Sequence, residues 1–270
     1  LAAVGSRLRA EVLLPLYADY RDRAAAFAAV APDCAGDWRP VVPSASIEVD
    51  LNGSPDAPIG APYEALLMSQ TPEYEARARA VARVLDGRDI LNICGELNTV
   101  VHHDHYYVGG LNQNAFGAAY FISALIHLIR GGADVEMRWV ATDNDDAYGL
   151  ISMKGEPSPA GLAKQLFAQL VRFGDRVRFP AYHADHPNLD ALVASGDDGQ
   201  LTGVFVNTGR EPFTLRVADW DGGLAACRDL YKVDTGTGNK VVKEPFSGTI
   251  RLDGYGVAVV SNAVIEPEID

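Results

Sequence analysis

The spacing of apolar residues over the first 178 positions alternates between the periods of helices and of strands. Residues 17–30 are rich in alanine and predict a helix, and residues 74–85 predict another because they follow a Thr-Pro-Glu start. Residues 115–130 are apolar on nearly every side, which indicates a buried helix that stops at two glycines. Residues 159–173 carry one apolar stripe, as a helix does when a single face packs against a core.

Short apolar runs stand between these helical segments and predict strands. Residues 90–94 precede the apolar helix, and residues 135–141 follow it. The order along the chain is therefore strand, polar loop, helix, strand, loop, helix, which favours a parallel sheet covered by helices. We expect this α/β part to occupy residues 1–178.

The pattern changes near residue 179, where short alternating runs separated by turn sequences replace the helical spacing. Such runs, with Asp-Gly and Thr-Gly turns between them, are typical of an antiparallel β-sandwich. We expect this sandwich to occupy residues 179–270. Its predicted strands are residues 191–195, 201–207, 213–217, 228–233, 249–252 and 256–260.

Composition places the chain among globular proteins and excludes several kinds of partner. Of its 270 residues, 48% are hydrophobic and 22% are charged, so it can bury a sizeable core. The 36 acidic and 23 basic residues give a net charge of −13, which repels phosphate backbones, and we expect no nucleic-acid partner. The longest apolar stretch, residues 115–129, is shorter than a bilayer span of roughly 18 residues. We expect a soluble protein without a membrane span, either cytoplasmic or secreted.

The cysteines and histidines bear on metal chemistry. The three cysteines have no Cys-x-x-Cys spacing, which gives no support for a metal or disulfide scaffold. The segment His102-His103-Asp104-His105 holds residue types that bind zinc, but consecutive positions cannot all converge on one ion. The acidic loop at residues 143–146 lacks the terminal Glu of a calcium-binding loop. We therefore expect no metal, and we expect His127, on the apolar helix, to be a core histidine.

The segment Ile93-Cys94-Gly95-Glu96-Leu97-Asn98 places a carboxylate where an apolar strand ends and a polar loop begins. In a (β/α) barrel this end of the strand is the catalytic face. A carboxylate there can attack the anomeric carbon of a sugar, so Glu96 is the candidate catalytic residue. The alternative from spacing alone is a helix cap or a salt-bridge partner.

Aromatic, imidazole and amide groups follow the same strand and the next one. Such groups stack on pyranose faces and bond to hydroxyls, and a Trp at the end of a barrel strand offers a flat apolar face to a sugar ring. That Trp would equally suit plain core packing. The candidate substrate-binding residues are Asn98, His103, His105, Tyr107, Trp139 and Asp143.

The runs GELNT, QNAFGAAYFISALIHLIRGGADVEMRWVATD, DDAYGL and GEPSPAGLAKQLFAQL resemble the carboxyl-terminal part of retaining glycoside hydrolases with a β/α barrel and two catalytic glutamates. The resemblance is strongest to glycoside hydrolase family 39, the β-xylosidase and α-L-iduronidase family. Glu96 corresponds to the nucleophile in the family's Thr-Glu-Trp-Asn-like strand end. Arg138-Trp139 and Asp143 resemble its Tyr-Trp strand and following Asp. The resemblance covers residues 17–46 and 74–208.

This resemblance implies both a fold and an activity. The fold is α/β, with a (β/α)8 TIM-barrel-type part, whole or partial, followed by a carboxyl-terminal antiparallel β-sandwich. The activity is that of a retaining glycosidase, which forms a covalent glycosyl-enzyme on Glu96 and takes a carbohydrate substrate. This chemistry needs no cofactor.

Two departures from the family affect this hypothesis. The family's acid/base lies in an Asn-Glu-Pro motif, which this chain does not contain. Glu11 lies near the corresponding region without the preceding Asn, and it is either the second carboxylate or part of the strand that leads into the motif.

The second departure is the length of the barrel. A full barrel needs about 250 residues, more than precede the sandwich here. Either segments are missing, or the chain is the carboxyl-terminal piece of a longer enzyme, or part of the barrel has been lost.

The missing motif favours another class of function, a non-catalytic carbohydrate-binding or accessory protein on a degraded barrel. A second carboxylate that faces Glu96 distinguishes the retaining glycosidase from this class. A third class is a metal-dependent hydrolase that uses the histidine loop. Such an enzyme would lose activity with a chelator and regain it with zinc.

Overall fold

The structure is a computed structural model and describes part of the chain. The described residues are 36–38, 61–86, 90–97, 110–138, 140–142, 149–180, 187–217, 223–263 and 265. The predicted helix at residues 17–30 and the acid/base candidate Glu11 lie outside these ranges.

The helices predicted at residues 74–85, 115–130 and 159–173 are confirmed, as are the strands predicted at residues 90–94 and 135–141. An additional helix, α1, precedes them. The elements are β1 (Gly36–Trp38), α1 (Ala61–Ser69), α2 (Thr71–Leu85), β2 (Asn92–Leu97), a short 3₁₀ helix (Gly110–Gln113), α3 (Ala115–Gly131), β3 (Val135–Arg138) and α4 (Pro159–Leu170).

Three of these elements end several residues away from the predicted position, and strand β3 is one of them because it stops at Arg138 rather than at residue 141. Helix α4 stops at Leu170 because Val171 adopts an extended backbone. Strand β2 continues past Cys94 to Leu97, so that Glu96 belongs to the strand itself.

The first three strands form a parallel sheet, as the order of strands and helices predicted. The strand order is β1-β2-β3, and β2 pairs in parallel with both neighbours. Ile93 lies opposite Asp37 on one side and opposite Val135 on the other. The pairing of β2 with β3 shifts its register between Cys94 and Leu97, which marks a β-bulge at residues 95–96.

Capping residues in the sequence fix the ends of the two long helices beside this sheet. Asn114 begins α3, where its side chain accepts a hydrogen bond from the backbone N–H of Gly117. Gly132 ends α3 with a φ of +87°, a left-handed conformation that favours glycine. Ser158 caps α4 and is followed by Pro159, whose fixed φ suits the first helical turn. Within the described residues, no helix is long and apolar enough to cross a membrane.

The described residues after α4 form two antiparallel sheets. Their strands are β4 (Arg176–Arg178), β5 (Leu189–Ser195), β6 (Leu201–Asn207), β7 (Phe213–Arg216), β8 (Asp229–Val233), β9 (Val242–Pro245), β10 (Thr249–Leu252) and β11 (Val257–Ser261). All six predicted strands are present, and β4 and β9 are additional. A six-stranded sheet has the order β4-β5-β6-β11-β8-β9, and a two-stranded sheet pairs β10 with β7.

The six-stranded sheet buries both of its faces because its central strands are apolar at successive positions. On β6, Val204 and Val206 belong to the hydrophobic cluster that includes α2, α3 and α4, whereas Phe205 belongs to a second cluster. The second cluster also contains Leu215 and Ile250 of the two-stranded sheet. One face therefore packs on helices and the other on the two-stranded sheet. The division into domains at residues 178 and 179 stays a prediction.

Aromatic and polar contacts join the start of α3 to the antiparallel part. The ring of Phe116 meets the ring of Tyr255 edge to face, with centroids 4.9 Å apart. The Ala115 backbone N–H donates to Oδ1 of Asn239 at 3.0 Å. These contacts fix the helix that follows the candidate site relative to the larger sheet.

Candidate functional site

Glu96 is the penultimate residue of β2, at the carboxyl end of the parallel sheet. The next residue, Leu97, lies opposite Arg138, the last residue of β3. In α/β folds with parallel strands, functional groups gather at this edge of the sheet. The backbone of Glu96 thus occupies the position that the sequence predicted, and its catalytic role stays a prediction.

The β-bulge at residues 95–96 explains how the strand presents two buried residues three positions apart. Cys94 and Leu97 are both buried in the cluster that includes α2 and α3. Strict alternation would place them on opposite faces of the sheet, and the extra residue of a bulge removes that conflict. Bulges recur next to active sites, where they change the direction of a side chain.

Arg138 connects the ends of three elements at this edge. Its Nη1 donates to the backbone carbonyl of Leu97 at 3.2 Å, and its Nη2 donates to Oδ1 of Asn112 at 2.7 Å. Asn112 lies in the short 3₁₀ helix before α3 and is fully buried. Hydrogen bonds from a guanidinium are roughly twice as strong as neutral ones. Arg138 therefore holds β2, β3 and this 3₁₀ helix together.

A cation–π pair lies behind the same edge. The guanidinium carbon of Arg138 is 5.1 Å from the ring centroid of Phe121, and Nζ of Lys164 is 5.2 Å from the same centroid. Lys164 also donates to Glu136 of β3 at 2.8 Å. Because Phe121 is fully buried on α3, its ring gives both cations a fixed surface.

Two buried tyrosines pack near Cys94 on the helix side of the sheet. The hydroxyls of Tyr74 on α2 and Tyr120 on α3 are 2.9 Å apart, and their rings meet edge to face. Burial raises the pKa of Tyr120 to about 12 and raises the pKa of Tyr74 well above its usual range. Both phenols are therefore neutral near pH 7.

The remaining predicted site residues lie outside the described part of the chain. These are Asn98, His103, His105, Tyr107, Trp139 and Asp143. Their roles, and the position of the second carboxylate, therefore stay predictions.

The described residues also bear on metal binding. In the ranges that the structure describes, no group of three or more His, Cys, Asp and Glu side chains could hold a metal ion. The segment 102–105 lies outside those ranges. His127 is buried on α3, and its Nδ1 is 3.2 Å from Oε2 of Glu75, which confirms the prediction of a core histidine.

Neither Asn112 nor the role of Arg138 was predicted from the sequence. Asn112 precedes Arg138 by 26 residues, and no local pattern announces a contact over that separation. The sequence gives one indication of a role for Arg138. It is a charged residue in a mainly apolar predicted strand, and it directly precedes the candidate sugar-binding residue Trp139.

No model of a known protein family matches the chain, and no curated protein matches it. Solved structures do match. A family 51 α-L-arabinofuranosidase from Bifidobacterium longum matches with a TM-score of 0.64 and 12% identity, covering 96% of this chain and 62% of that one.

Two further solved structures are similar. A 4-O-α-L-rhamnosyl-β-D-glucuronidase from Fusarium oxysporum matches with a TM-score of 0.56 and 10% identity, covering 96% of this chain and 63% of that one. A bifunctional glucanase-xylanase from a metagenome library matches with a TM-score of 0.51 and 16% identity, covering 73% and 39%. The chain spans between 39% and 63% of the length of these three proteins. Its fold is similar to that of glycoside hydrolases.

Proposed function

We propose that this protein belongs to the retaining glycosidases and that Glu96 is its nucleophile. The observation that carries the proposal is the position of Glu96, at the carboxyl end of a parallel strand in a fold similar to that of glycoside hydrolases. The β-bulge at residues 95–96 and the Arg138 contact to Leu97 support it, because both act on the backbone beside Glu96.

The proposed reaction has two steps. The Glu96 carboxylate attacks the anomeric carbon and forms a covalent glycosyl-enzyme, while a second carboxylic acid protonates the departing glycosidic oxygen. That second group then takes a proton from water, which attacks the anomeric carbon and releases Glu96. The two carboxyl groups of a retaining enzyme lie about 5 to 5.5 Å apart. Glu11 is the candidate for the second group from its place in the sequence.

The proposal includes a substrate site and an architecture. Trp139 would stack on the sugar ring, Asn98 would bond to a hydroxyl near the reacting carbon, and His103, His105, Tyr107 and Asp143 would bind the remaining hydroxyls. Strands β1 to β3 with their helices would form a TIM-barrel-type part over residues 1–178, like that of family 39. Residues 179–270 would form a β-sandwich domain.

The test is hydrolysis of a panel of nitrophenyl glycosides by the wild-type protein and by Glu96→Gln. We expect one sugar to be hydrolysed, with a loss of at least 10³-fold in Glu96→Gln, on the order seen when a nucleophile is removed. Glu156→Gln, in an exposed turn, is the matched control and retains wild-type activity. With azide, Glu96→Gly yields a glycosyl azide of inverted configuration.

A second candidate function follows from the absence of an Asn-Glu-Pro motif, which the family's acid/base requires. It is a non-catalytic carbohydrate-binding protein on the same fold. This protein would bind an oligosaccharide in calorimetry but release no nitrophenol from any glycoside of the panel. Full activity of Glu96→Gln would exclude both Glu96 as nucleophile and the retaining mechanism proposed for it.

A further inference from the structure

Arg138 bonds to the chain on both sides of one segment. Leu97, whose carbonyl accepts from Nη1, is the last residue of β2, and Asn112, whose Oδ1 accepts from Nη2, lies in the 3₁₀ helix that precedes α3. Between them in the sequence are residues 98–109, which carry His103, His105 and Tyr107. The guanidinium of Arg138 therefore joins Leu97, before this segment, to Asn112, after it.

The hydrogen bond from Arg138 to Leu97 lies directly after the β-bulge. A bulge disrupts the ladder locally and leaves a residue without its usual strand pairing. The register of β2 and β3 shifts directly before the Leu97 and Arg138 pair. The bond from Arg138 Nη1 to the Leu97 carbonyl therefore adds a side-chain contact between the two strands next to the point where their pairing is irregular.

The surroundings of Arg138 restrict the orientation of its guanidinium. Asn112 is fully buried, so its amide oxygen requires a donor, and the guanidinium supplies one at 2.7 Å. The ring of Phe121, also fully buried, lies 5.1 Å from the guanidinium carbon. The planar guanidinium of an arginine presents its donors in a fixed geometry while its face contacts a ring, an arrangement that the compact ammonium of a lysine does not reproduce.

We propose that Arg138 is a positioning residue that fixes the backbone of Glu96 for its attack on the anomeric carbon. The inference rests on the proposed glycosidase function. Leu97 is bonded covalently to Glu96, so a shift of the Leu97 carbonyl moves the nucleophile directly. A misplacement of about 1 Å can reduce a rate by about 10²-fold without a change in the reacting groups.

Kinetics on the glycoside that the panel identifies provide the first arm of the test. We expect Arg138→Gln to lower kcat by about 10²-fold, with KM changed by less than about threefold, since Arg138 positions the nucleophile rather than binding the sugar. We expect Arg138→Lys to recover less than a tenth of the lost kcat, because a lysine lacks the planar donor geometry of the guanidinium. Arg251→Gln, on an exposed position of β10, is the matched control and keeps the wild-type kcat.

A double-mutant cycle with Asn112→Ala separates positioning from general destabilisation. If both side chains act through one contact, the double variant loses no more kcat than Arg138→Gln alone. Losses that multiply would show two independent effects and overturn the proposal. An unchanged kcat in Arg138→Gln, or a KM effect without a kcat effect, would also overturn it.

Backbone hydrogen exchange is the second arm and needs no activity. In Arg138→Gln we expect faster exchange confined to residues 92–97 and 110–113, with the antiparallel sheets unchanged. Uniformly faster exchange, or failure of Arg138→Gln, Arg138→Lys and Asn112→Ala to fold, would make Arg138 a structural residue only. If the wild-type protein hydrolyses no glycoside, the proposed function fails. Faster exchange confined to residues 92–97 and 110–113 would then show only that Arg138 holds these residues together.

Discussion

His127 Nε2 on helix α3 lies 3.4 Å from Oδ2 of Asp190 on strand β5, an ion-pair contact between the helices and the six-stranded sheet. On its other side, Nδ1 is 3.2 Å from Oε2 of Glu75 on α2. The imidazole lies between two carboxylates and has little access to water, since only 6% of its side chain is exposed. Its protonation state therefore controls how these three elements are held together.

The first prediction concerns the pH dependence of stability. Burial alone would lower the pKa of His127, but Asp190 and Glu75 outweigh burial and raise it above 6.5. A pKa that is higher in the folded state gives stability that is fully present below the unfolded pKa and is lost as the pH rises through the folded one. We expect the urea unfolding free energy of the wild-type protein to fall relative to that of His127→Gln as the pH rises from about 6.5 through the raised pKa of His127.

Near pH 6 the substitution removes the charge that lies between Glu75 and Asp190, which costs about 3 kcal/mol. Other charges face this cluster, since Arg79 and Arg130 both contact Glu75. Asp190→Asn is the control that removes one partner and reduces the same slope. An identical pH slope in wild type and His127→Gln would contradict the assignment to His127.

The second prediction concerns the buried hydroxyl pair of Tyr74 and Tyr120. Each phenol is the hydrogen-bond partner of the other at 2.9 Å. Tyr74→Phe leaves the Tyr120 hydroxyl buried without this partner, and we expect a loss of about 2 kcal/mol in the free energy of unfolding. The variant that combines Tyr74→Phe and Tyr120→Phe loses less free energy of unfolding than the sum of the two single losses, because no buried hydroxyl is left without a partner. Additive losses in urea unfolding would show that the two hydroxyls do not depend on each other.

The third prediction concerns the start of α4. The Ser158 hydroxyl accepts from the Gly161 N–H at 3.2 Å and donates to the Leu150 carbonyl at 3.1 Å. Ser158→Ala removes both bonds at a buried position, and we expect a loss of about 1 to 2 kcal/mol by urea unfolding. The matched control is Ser247→Ala, at an exposed turn, with a change below about 0.5 kcal/mol. Equal effects of the two substitutions would show that the cap contributes nothing.

The parts of this fold that follow from local pattern could be predicted, and those that depend on distant partners could not. Strands β6 and β10 have the predicted bounds, because turn sequences stand on both sides of each, around a mainly apolar run in β6 and an alternating run in β10. Strand β9 was missed, since its Val-Lys-Glu-Pro run is polar and lies at the sheet edge. Helix α1 was missed because its apolar residues form no stripe.

The candidate site shows the same limit. The position of Glu96 at a strand end is local, and the apolar run before it indicated that position. The bulge and the Arg138 bond to Leu97 join residues far apart in the sequence, as do the contacts of His127 with two carboxylates in the core. Only the packed structure brings such residues together, so a single sequence cannot reveal their contacts.

The last prediction concerns the boundary between the two parts of the chain. On β6 and β11, Val204, Val206, Val257 and Val259 contribute to the cluster shared with the helices. A fragment of residues 175–270 would expose this apolar face, and exposed patches of that kind promote association and dye binding. We expect the isolated fragment to bind a hydrophobic dye and to self-associate in ultracentrifugation, whereas the full chain does neither.

The matched variant replaces Val206 and Val259 with Thr in both proteins. It should make the fragment more soluble and destabilise the full chain by at least 1 kcal/mol, because the hydroxyls would be buried against the helices. A fragment that is monomeric, binds no dye and unfolds cooperatively would instead show that residues 175–270 fold on their own, as the predicted domain at residues 179–270 requires. The expected result means that the helices beside the candidate site and the six-stranded sheet share one core, so that a disturbance in either part reaches the other.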